Sequence, residues 1–164
     1  MRIACIRVPF FPVAVERRSD LIPTWQPLVV IDGKTVLAAS ADVVNIHAGL
    51  SARRARAFCP HATFIEANHA LYRDVFDAML TALEGVTPLV EPADLGVAYA
   101  DVAGFQGQYE DEFALASALM KAVQVSTSLL PSVGIADGKF VAWVAALISP
   151  PGDALPTVND PFRG

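Results

Sequence analysis

The order of apolar and polar residues predicts four strands and three helices outside one long insertion. Residues 2–8 (RIACIRV) are nearly all apolar and stop before Pro9, as in a buried strand. From Asn68 to Gly85, apolar residues recur three and four positions apart, which predicts a capped helix with Leu71 on its buried face. The remaining predicted elements are strands around 88–94, 96–103 and 132–136, a helix from about Asp111 to Thr127 that buries Phe113, Leu119, Met120 and Val123, and a helix led by Lys139.

Residues 9–67 interrupt this order after the first strand. Without them the elements run β-α-β-β-α-β, which is the ferredoxin-like arrangement of a four-stranded antiparallel sheet backed by two helices. The insertion contains a predicted hairpin, 27–32 with 35–39, that turns at Asp32-Gly33. We therefore expect an α+β fold in which 1–8 and 68–149 form one domain, 9–67 form a small inserted lobe, and 150–164 form a Pro-rich tail.

The composition argues against several classes of protein. The chain of 164 residues is 54% hydrophobic, yet charged residues interrupt its apolar runs, so we expect neither a membrane helix nor a signal peptide. Its two cysteines are far apart and its three histidines lack the spacing of a metal site, which favours free thiols in a reducing cytosol. The net charge of −5 argues against a chain that binds a nucleic-acid backbone along its whole length.

Basic residues are concentrated near the N-terminus. The first 60 positions hold eight basic and four acidic residues, which leaves four basic and thirteen acidic residues in the remainder. This imbalance indicates a modest basic patch, and any DNA contact should be weak. The candidate DNA-binding residues are Arg17, Arg18, Arg53, Arg54 and Arg56.

Four stretches resemble motifs of the Y-family translesion DNA polymerases, and they occur in the family's order. Residues 9–16 (PFFPVAVE) resemble part of D-M-D-x-F-F-A-S-V-E, and 49–60 (GLSARRARAFCP) resemble G-M-P-x-x-x-A-x-x-x-C-P. Residues 90–104 (VEPADLGVAYADVAG) are similar to V-E-x-x-S-I-D-E-A-Y-L-D-V-T-G, and 132–146 (SVGIADGKFVAWVAA) to S-V-G-I-A-x-N-K-x-x-A-K-x-A-S. The resemblance implies that the ferredoxin-like domain is a polymerase palm and that the insertion is the fingers.

The resemblance also locates the family's metal ligands, and this chain lacks them. In active members, three palm carboxylates hold two magnesium ions. The matching positions here are Arg7, Gly96 and Val97, so a cation replaces one carboxylate and apolar residues replace the other two. We therefore expect no metal, no cofactor and no catalytic residues in this chain. Asp94, two residues before Gly96, is expected to pair with Arg7.

The nucleotide-binding positions implied by the resemblance are also changed. A tyrosine and an arginine that hold the incoming triphosphate fall on Ala39 and Asp42, and the aromatic residue that gates the sugar falls on Pro12. Lys139 alone matches a phosphate-contacting lysine, although a lysine that simply begins a helix is an equal interpretation.

These losses resemble the ImuB-type members of the family, which are bacterial pseudo-polymerases that act in damage-induced mutagenesis. The resemblance implies a non-catalytic scaffold at the nucleoid in the cytoplasm. Its implied partners are DNA, the sliding clamp, a replicative-type polymerase and an accessory mutagenesis protein. Two alternatives stay open. One is an active translesion polymerase whose ligands come from Glu91, Asp94 and Asp101, although Asp101 matches a structural acid. The other is a ferredoxin-like ligand-binding module that resembles the family only in topology.

Overall fold

The computed structural model describes residues 1–105 and 107–152. Most of the predicted tail, 150–164, lies outside them. Contacts divide the chain into two compact units, a first unit of 1–9 with the described residues from 74 onward, and a second unit of 10–73. The elements in chain order are β1 (Arg2–Arg7), α1 (Phe11–Glu16), β2 (Leu28–Asp32), β3 (Thr35–Ala39), α2 (Ala52–Phe58), β4 (Thr63–Glu66), α3 (His69–Glu84), β5 (Val90–Pro92), β6 (Val97–Asp101), α4 (Glu112–Thr127), β7 (Ser132–Asp137) and α5 (Lys139–Ile148).

The first unit contains a four-stranded sheet in the order β5-β6-β1-β7, in which every pairing is antiparallel. Strand β1 is therefore central, as predicted, and lies between β6 and β7. The order of elements and strands confirms the predicted α+β, ferredoxin-like fold. Because side chains alternate along a strand, Ile3, Cys5 and Arg7 share one face of the sheet, while Ala4 and Ile6 lie on the other.

Helix α5 packs on the face that carries Ile3 and Cys5. Its residues Ala142 and Ala146 are fully buried in a cluster with both of those side chains. The close approach depends on Gly134 of β7, because a Cβ atom there would lie 2.3 Å from the backbone nitrogen of Ala146. A small residue at this position thus lets the helix backbone sit directly on the strand.

The buried cation of β1 is Arg2, which the sequence interpretation overlooked in favour of Arg7. Arg2 Nε donates to Glu112 Oε2 at 3.0 Å, a second guanidinium nitrogen donates to Glu112 Oε1, and Asp137 lies 3.4 Å away. The hydrogen bond to Glu112 raises the pKa of Arg2, against an opposing effect of burial. This pair joins the start of the central strand to the first turn of α4.

The same pair explains one wrong prediction, because Phe113 is exposed rather than buried. Glu112 takes the inward position in the first turn of α4. The helix then buries Leu115, Leu119 and Val123, which follow at spacings of three and four residues on the same side. Phe113, one residue after Glu112, is turned away by about 100°. Leu71 is likewise exposed, although the cap by Asn68 forms as predicted, with its side chain accepting from Leu71 N at 3.1 Å.

The second unit is built on a three-stranded sheet in the order β3-β2-β4. Strands β2 and β3 form the predicted hairpin, and Gly33 has the positive φ of 62° that its turn requires. Strand β4 pairs parallel to β2, which the sequence interpretation did not anticipate because 63–66 is short and only partly apolar. Helix α2, capped by Ser51, covers one face of this sheet through Ala52 and Ala55.

Among the described residues, no helix is both long and apolar enough to cross a membrane.

The close contact at Gly134 yields a stability prediction. Gly134→Ala should destabilise the protein by several kcal/mol, because the new methyl group overlaps helix backbone that cannot move aside cheaply. Gly104→Ala is the matched control, since a Cβ there meets nothing within 4 Å. Chemical denaturation should place the control within about 1 kcal/mol of the parent. Equal stability of the two variants would show that α5 does not pack on β7 as described.

Candidate functional site

Arg7 ends the central strand and stands between two neighbours that carry no charge. It is opposite Val97 on β6 and opposite Ser132 on β7. The side chain is half-buried, whereas the sequence interpretation treated it as a buried cation. Arg7 therefore places a positive charge on the sheet face that Cys5 and Tyr99 share.

Gly96 is held in a backbone conformation that suits glycine. It is buried with φ of 83°, in the left-handed region that side chains rarely adopt. Its carbonyl accepts from Val8 N at 2.9 Å, just beyond the end of β1. The turn before it is closed by two backbone bonds, from Ala93 N to the Val97 carbonyl at 3.0 Å and from Val97 N to the Asp94 carbonyl at 2.8 Å.

The predicted ion pair between Arg7 and Asp94 is wrong. Asp94 is exposed, and within the described residues Arg7 forms no ion pair. The reason is that Asp94 lies in the β5–β6 turn and not on a strand, so strand alternation does not determine its direction. A half-buried guanidinium at a strand end can be solvated by water and needs no carboxylate.

The residues at Arg7, Gly96 and Val97 do not fit a magnesium ion. They supply a guanidinium, a hydrogen atom and an isopropyl group, whereas Mg²⁺ takes oxygen ligands. A unit positive charge 4 Å from another costs about 4 kcal/mol at an effective dielectric near 20, and the ion is divalent. Across the part of the chain that is described, no three His, Cys, Asp or Glu side chains cluster in a way that could hold a metal.

The three acids proposed as replacement ligands do not form such a cluster. Glu91 accepts from Lys139 Nζ at 2.6 Å, and Asp101 accepts from Ala103 N at 3.0 Å in the turn after β6. Asp94 is exposed in the turn. Two of the three carboxylates thus have local partners, and Asp101 has the structural role expected of it.

Lys139 lies in a small polar group at the beginning of α5. Besides its bond to Glu91, its ammonium lies 5.6 Å from the centre of the Tyr99 ring. Burial is the main cause that raises the pKa of Tyr99, with Cys5, Asp94 and Glu91 adding to it and Lys139 opposing it. A cleft of about 480 Å³ adjoins this group and is lined mainly by apolar atoms, Ile3 and Leu89 among the contributing residues.

Cys5, beside Arg7 on the same face, is not a nucleophile. Burial raises the pKa of its thiol to about 12, although the charge of Arg7 acts in the opposite direction. The thiol therefore stays protonated at neutral pH. Within the described residues, Cys5 and Cys59 are both free and buried, as the sequence predicted.

The second unit holds the other residues that the sequence singled out. Pro12 and Ala39 are buried, and Asp42 is exposed beyond the end of β3. Arg53, Arg54 and Arg56 are exposed on α2.

Arg17 and Arg18 differ in their surroundings. Arg17 donates to the carbonyls of Pro23 at 3.0 Å and Gln26 at 2.7 Å, so its guanidinium holds a loop. Arg18 is exposed.

Comparisons with known proteins assign the family. The model of the impB/mucB/samB family matches residues 6–147. The chain belongs to this family of Y-family polymerase domains. It is 33% identical over 151 residues to DNA polymerase IV of Dehalococcoides mccartyi, which covers 88% of this chain and 38% of that protein. It is 32% identical to DNA polymerase IV 2 of Mesorhizobium japonicum, covering 91% of this chain and 36% of that protein.

Solved structures of Y-family polymerases share the fold. DinB from Sulfolobus solfataricus superposes with a TM-score of 0.87 at 21% identity, over 96% of this chain and 48% of that one. A ternary complex of Dbh gives a TM-score of 0.86 at 22% identity. The interpretation that the resemblance to Y-family polymerases is only topological is wrong, because the family model matches most of the sequence. The chain spans about two fifths of the length of its curated relatives.

The polar group around Tyr99 yields a prediction for this Y-family domain. Glu91→Gln should lower the pKa of Tyr99, because a negative charge that disfavours the phenolate is removed. Lys139→Met should raise it for the opposite reason. Titration of the tyrosine Cζ resonances by NMR separates Tyr99 from Tyr72 and Tyr109. Shifts of the same sign in both variants would contradict the described arrangement.

Proposed function

We propose that this chain is the palm and fingers portion of a non-catalytic, ImuB-type Y-family protein that serves as a scaffold in translesion DNA synthesis and damage-induced mutagenesis. In this proposal, 1–8 with 68–149 form the palm and 9–67 the fingers. The observation that carries the proposal is Arg7, which ends the central strand at the position that the family motif gives to a metal-binding carboxylate. A guanidinium there opposes divalent cations.

The other two ligand positions support the same proposal. The left-handed conformation of Gly96 does not favour an aspartate, and Val97 replaces a glutamate with an apolar side chain. The acids that remain nearby have other partners or lie in an exposed turn. All three ligands would have to be rebuilt, and an aspartate at Gly96 would be strained in the left-handed backbone there.

The nucleotide-binding positions give independent support. Asp42 would repel a triphosphate at the position where the motif places an arginine, and Ala39 is a buried residue at the end of β3. Lys139 is the one matching residue, and its ammonium is already bound by Glu91 at 2.6 Å. At the positions that the motif gives to triphosphate binding, the chain therefore offers one cation, Lys139, which already has a carboxylate partner.

A scaffold of this kind would contact DNA weakly through the second unit and would bind proteins through the rest of the molecule. Arg18, Arg53, Arg54 and Arg56 supply the exposed positive charge. The sliding clamp, a replicative-type polymerase and an accessory mutagenesis protein are the partners proposed for the full-length protein, which would act on the chromosome in the cytoplasm.

An active translesion polymerase is the second candidate, because the curated relatives are named DNA polymerase IV. Primer extension by the full-length protein separates the two. With magnesium or manganese and all four deoxynucleotides, we expect no extension under conditions in which the polymerase IV of Dehalococcoides mccartyi extends the same primer. Metal-dependent extension that survives repurification would reject the scaffold proposal.

A substitution at Arg7 tests whether restoring one carboxylate is enough to restore magnesium binding. Arg7→Asp alone should restore neither nucleotide incorporation nor a magnesium-dependent rise in melting temperature, because one carboxylate cannot replace three ligands. Gly96→Asp should by itself cost about 1–2 kcal/mol, since it forces a side chain into the left-handed region. Magnesium-dependent extension by Arg7→Asp would show that the remaining residues can still bind the ion.

The charge distribution yields a prediction for duplex DNA. Affinity should be no tighter than about micromolar at physiological salt, because few arginines are available to contact phosphates. Replacing Arg53, Arg54 and Arg56 by glutamine should flatten the dependence of log K on log salt by about 0.9 for each phosphate that the variant no longer neutralises. Lys121→Gln, an exposed change on α4 of the first unit, is the matched control and should leave the slope unchanged. Nanomolar binding in physiological salt would contradict the scaffold proposal and would instead favour a protein that binds duplex DNA tightly.

A further inference from the structure

The loop 17–27 of the second unit exposes two large apolar side chains in an ordered setting. Leu21 is 91% exposed and Trp25 is 75% exposed. Arg17 fixes the loop by donating to the Pro23 and Gln26 carbonyls on either side of Trp25. The indole of Trp25 is thus exposed on a loop whose backbone is anchored by two hydrogen bonds.

This loop lies at the same end of the sheet as the C-terminus of α2. Strands β2 and β4 are parallel, so both begin at one end, and Thr63 N donates to the Pro27 carbonyl there at 2.8 Å. Gln26 Nε2 donates to the His61 carbonyl at 2.6 Å in the turn between α2 and β4. Helix α2 ends at Phe58, whose side chain is 58% exposed. The topology therefore brings Trp25 and Phe58 to one end of the unit.

The exposed charged residues of this loop and of α2 are four arginines and one acid, namely Arg18, Arg53, Arg54, Arg56 and Asp20. Arg54 is four residues before Phe58 and shares its side of α2, and the Arg56 guanidinium lies 4.6 Å from the centre of the Phe64 ring. Within the described residues, Arg53, Arg54 and Arg56 form no ion pair. Residues 10–73 contain seven basic and five acidic residues, whereas the rest of the chain contains five and twelve. The second unit is therefore the part of the chain that attracts anions.

We propose that Trp25, Phe58, Arg54 and Arg56, which we call the aromatic–arginine surface, bind single-stranded DNA. Unpaired bases offer π-faces that stack on exposed aromatic rings, and arginines beside them contact the backbone phosphates. A duplex keeps its bases stacked inside and uses only the charges. The inference extends the DNA contact proposed above by naming the form of the DNA and adding the residues that meet its bases.

The fluorescence of Trp25 can be used to follow DNA binding. In a Trp143→Phe background it is the only tryptophan of the chain. We expect a twelve-residue oligothymidylate to quench its fluorescence, with log K falling against log salt with a slope of about −1.4 if two arginines contact phosphates. Trp25→Ala, followed by anisotropy of a labelled oligothymidylate, should weaken binding about tenfold, and Phe58→Ala should weaken it by a smaller factor.

The controls separate stacking from charge and from protein docking. In Trp25→Phe, the remaining Trp143 should not be quenched, because it lies on α5 of the acidic first unit. Arg54→Gln with Arg56→Gln should reduce the salt slope while leaving quenching detectable at low salt. Absence of quenching by the oligothymidylate at low salt would overturn the inference. Quenching by poly-glutamate but not by oligothymidylate would also overturn it, in favour of an acidic protein partner. Neither result depends on primer extension, so the inference and the proposed function can fail separately.

Discussion

The pairing of β1 with strands on both sides is the constraint on which the rest of the first unit depends. Five of its residues, Ile3 to Arg7, are in register with β6, and all six are in register with β7. A shift of one residue would turn every side chain of β1 to the opposite face, so burial of Ala4 and Ile6 on one face fixes Arg7 on the other. The position of the charge follows from the packing of the strand, independently of any ligand.

The fold of the first unit depends on residues other than Arg7 and Gly96, so the proposed loss of metal ligands is compatible with an intact sheet. Burial of Ile6, Ala98 and Ile135, together with the contact between Gly134 and α5, stabilises the sheet. Arg7 is half-buried at the end of β1, and Gly96 carries only a hydrogen atom, so neither adds an apolar side chain to the core. Acidic ligands repel one another in the absence of metal, and their replacement therefore need not destabilise the protein.

Much of the fold could be predicted from the sequence because its signals are local. The helical period from Asn68 and the turn at Asp32-Gly33 each depend on residues that are close together in the sequence. The errors involve partners that are distant in sequence. The pairing of Arg2 with Glu112, 110 residues later, was missed and reversed the prediction for Phe113.

At the candidate site, motif spacing predicted which three positions match the family's metal ligands, but not their geometry. The left-handed φ of Gly96 and the bond between Glu91 and Lys139 are visible only once the turn and the helix are placed. The predicted pair of Arg7 and Asp94 failed because a turn residue was treated as part of a strand. Sequence alone thus predicts which positions to compare with the family's metal ligands, and the structure adds that, within the described residues, the nearby acids form no cluster that could hold a metal.

The central claim, that the end of β1 cannot bind a divalent cation, can be tested by manganese relaxation in NMR spectra of the amide groups. A bound Mn²⁺ ion selectively broadens amide signals close to it. The account predicts that Val8, Val97 and Ser132 broaden no more than exposed amides elsewhere as manganese is added. Selective, saturable broadening of these three signals that magnesium reverses would contradict it.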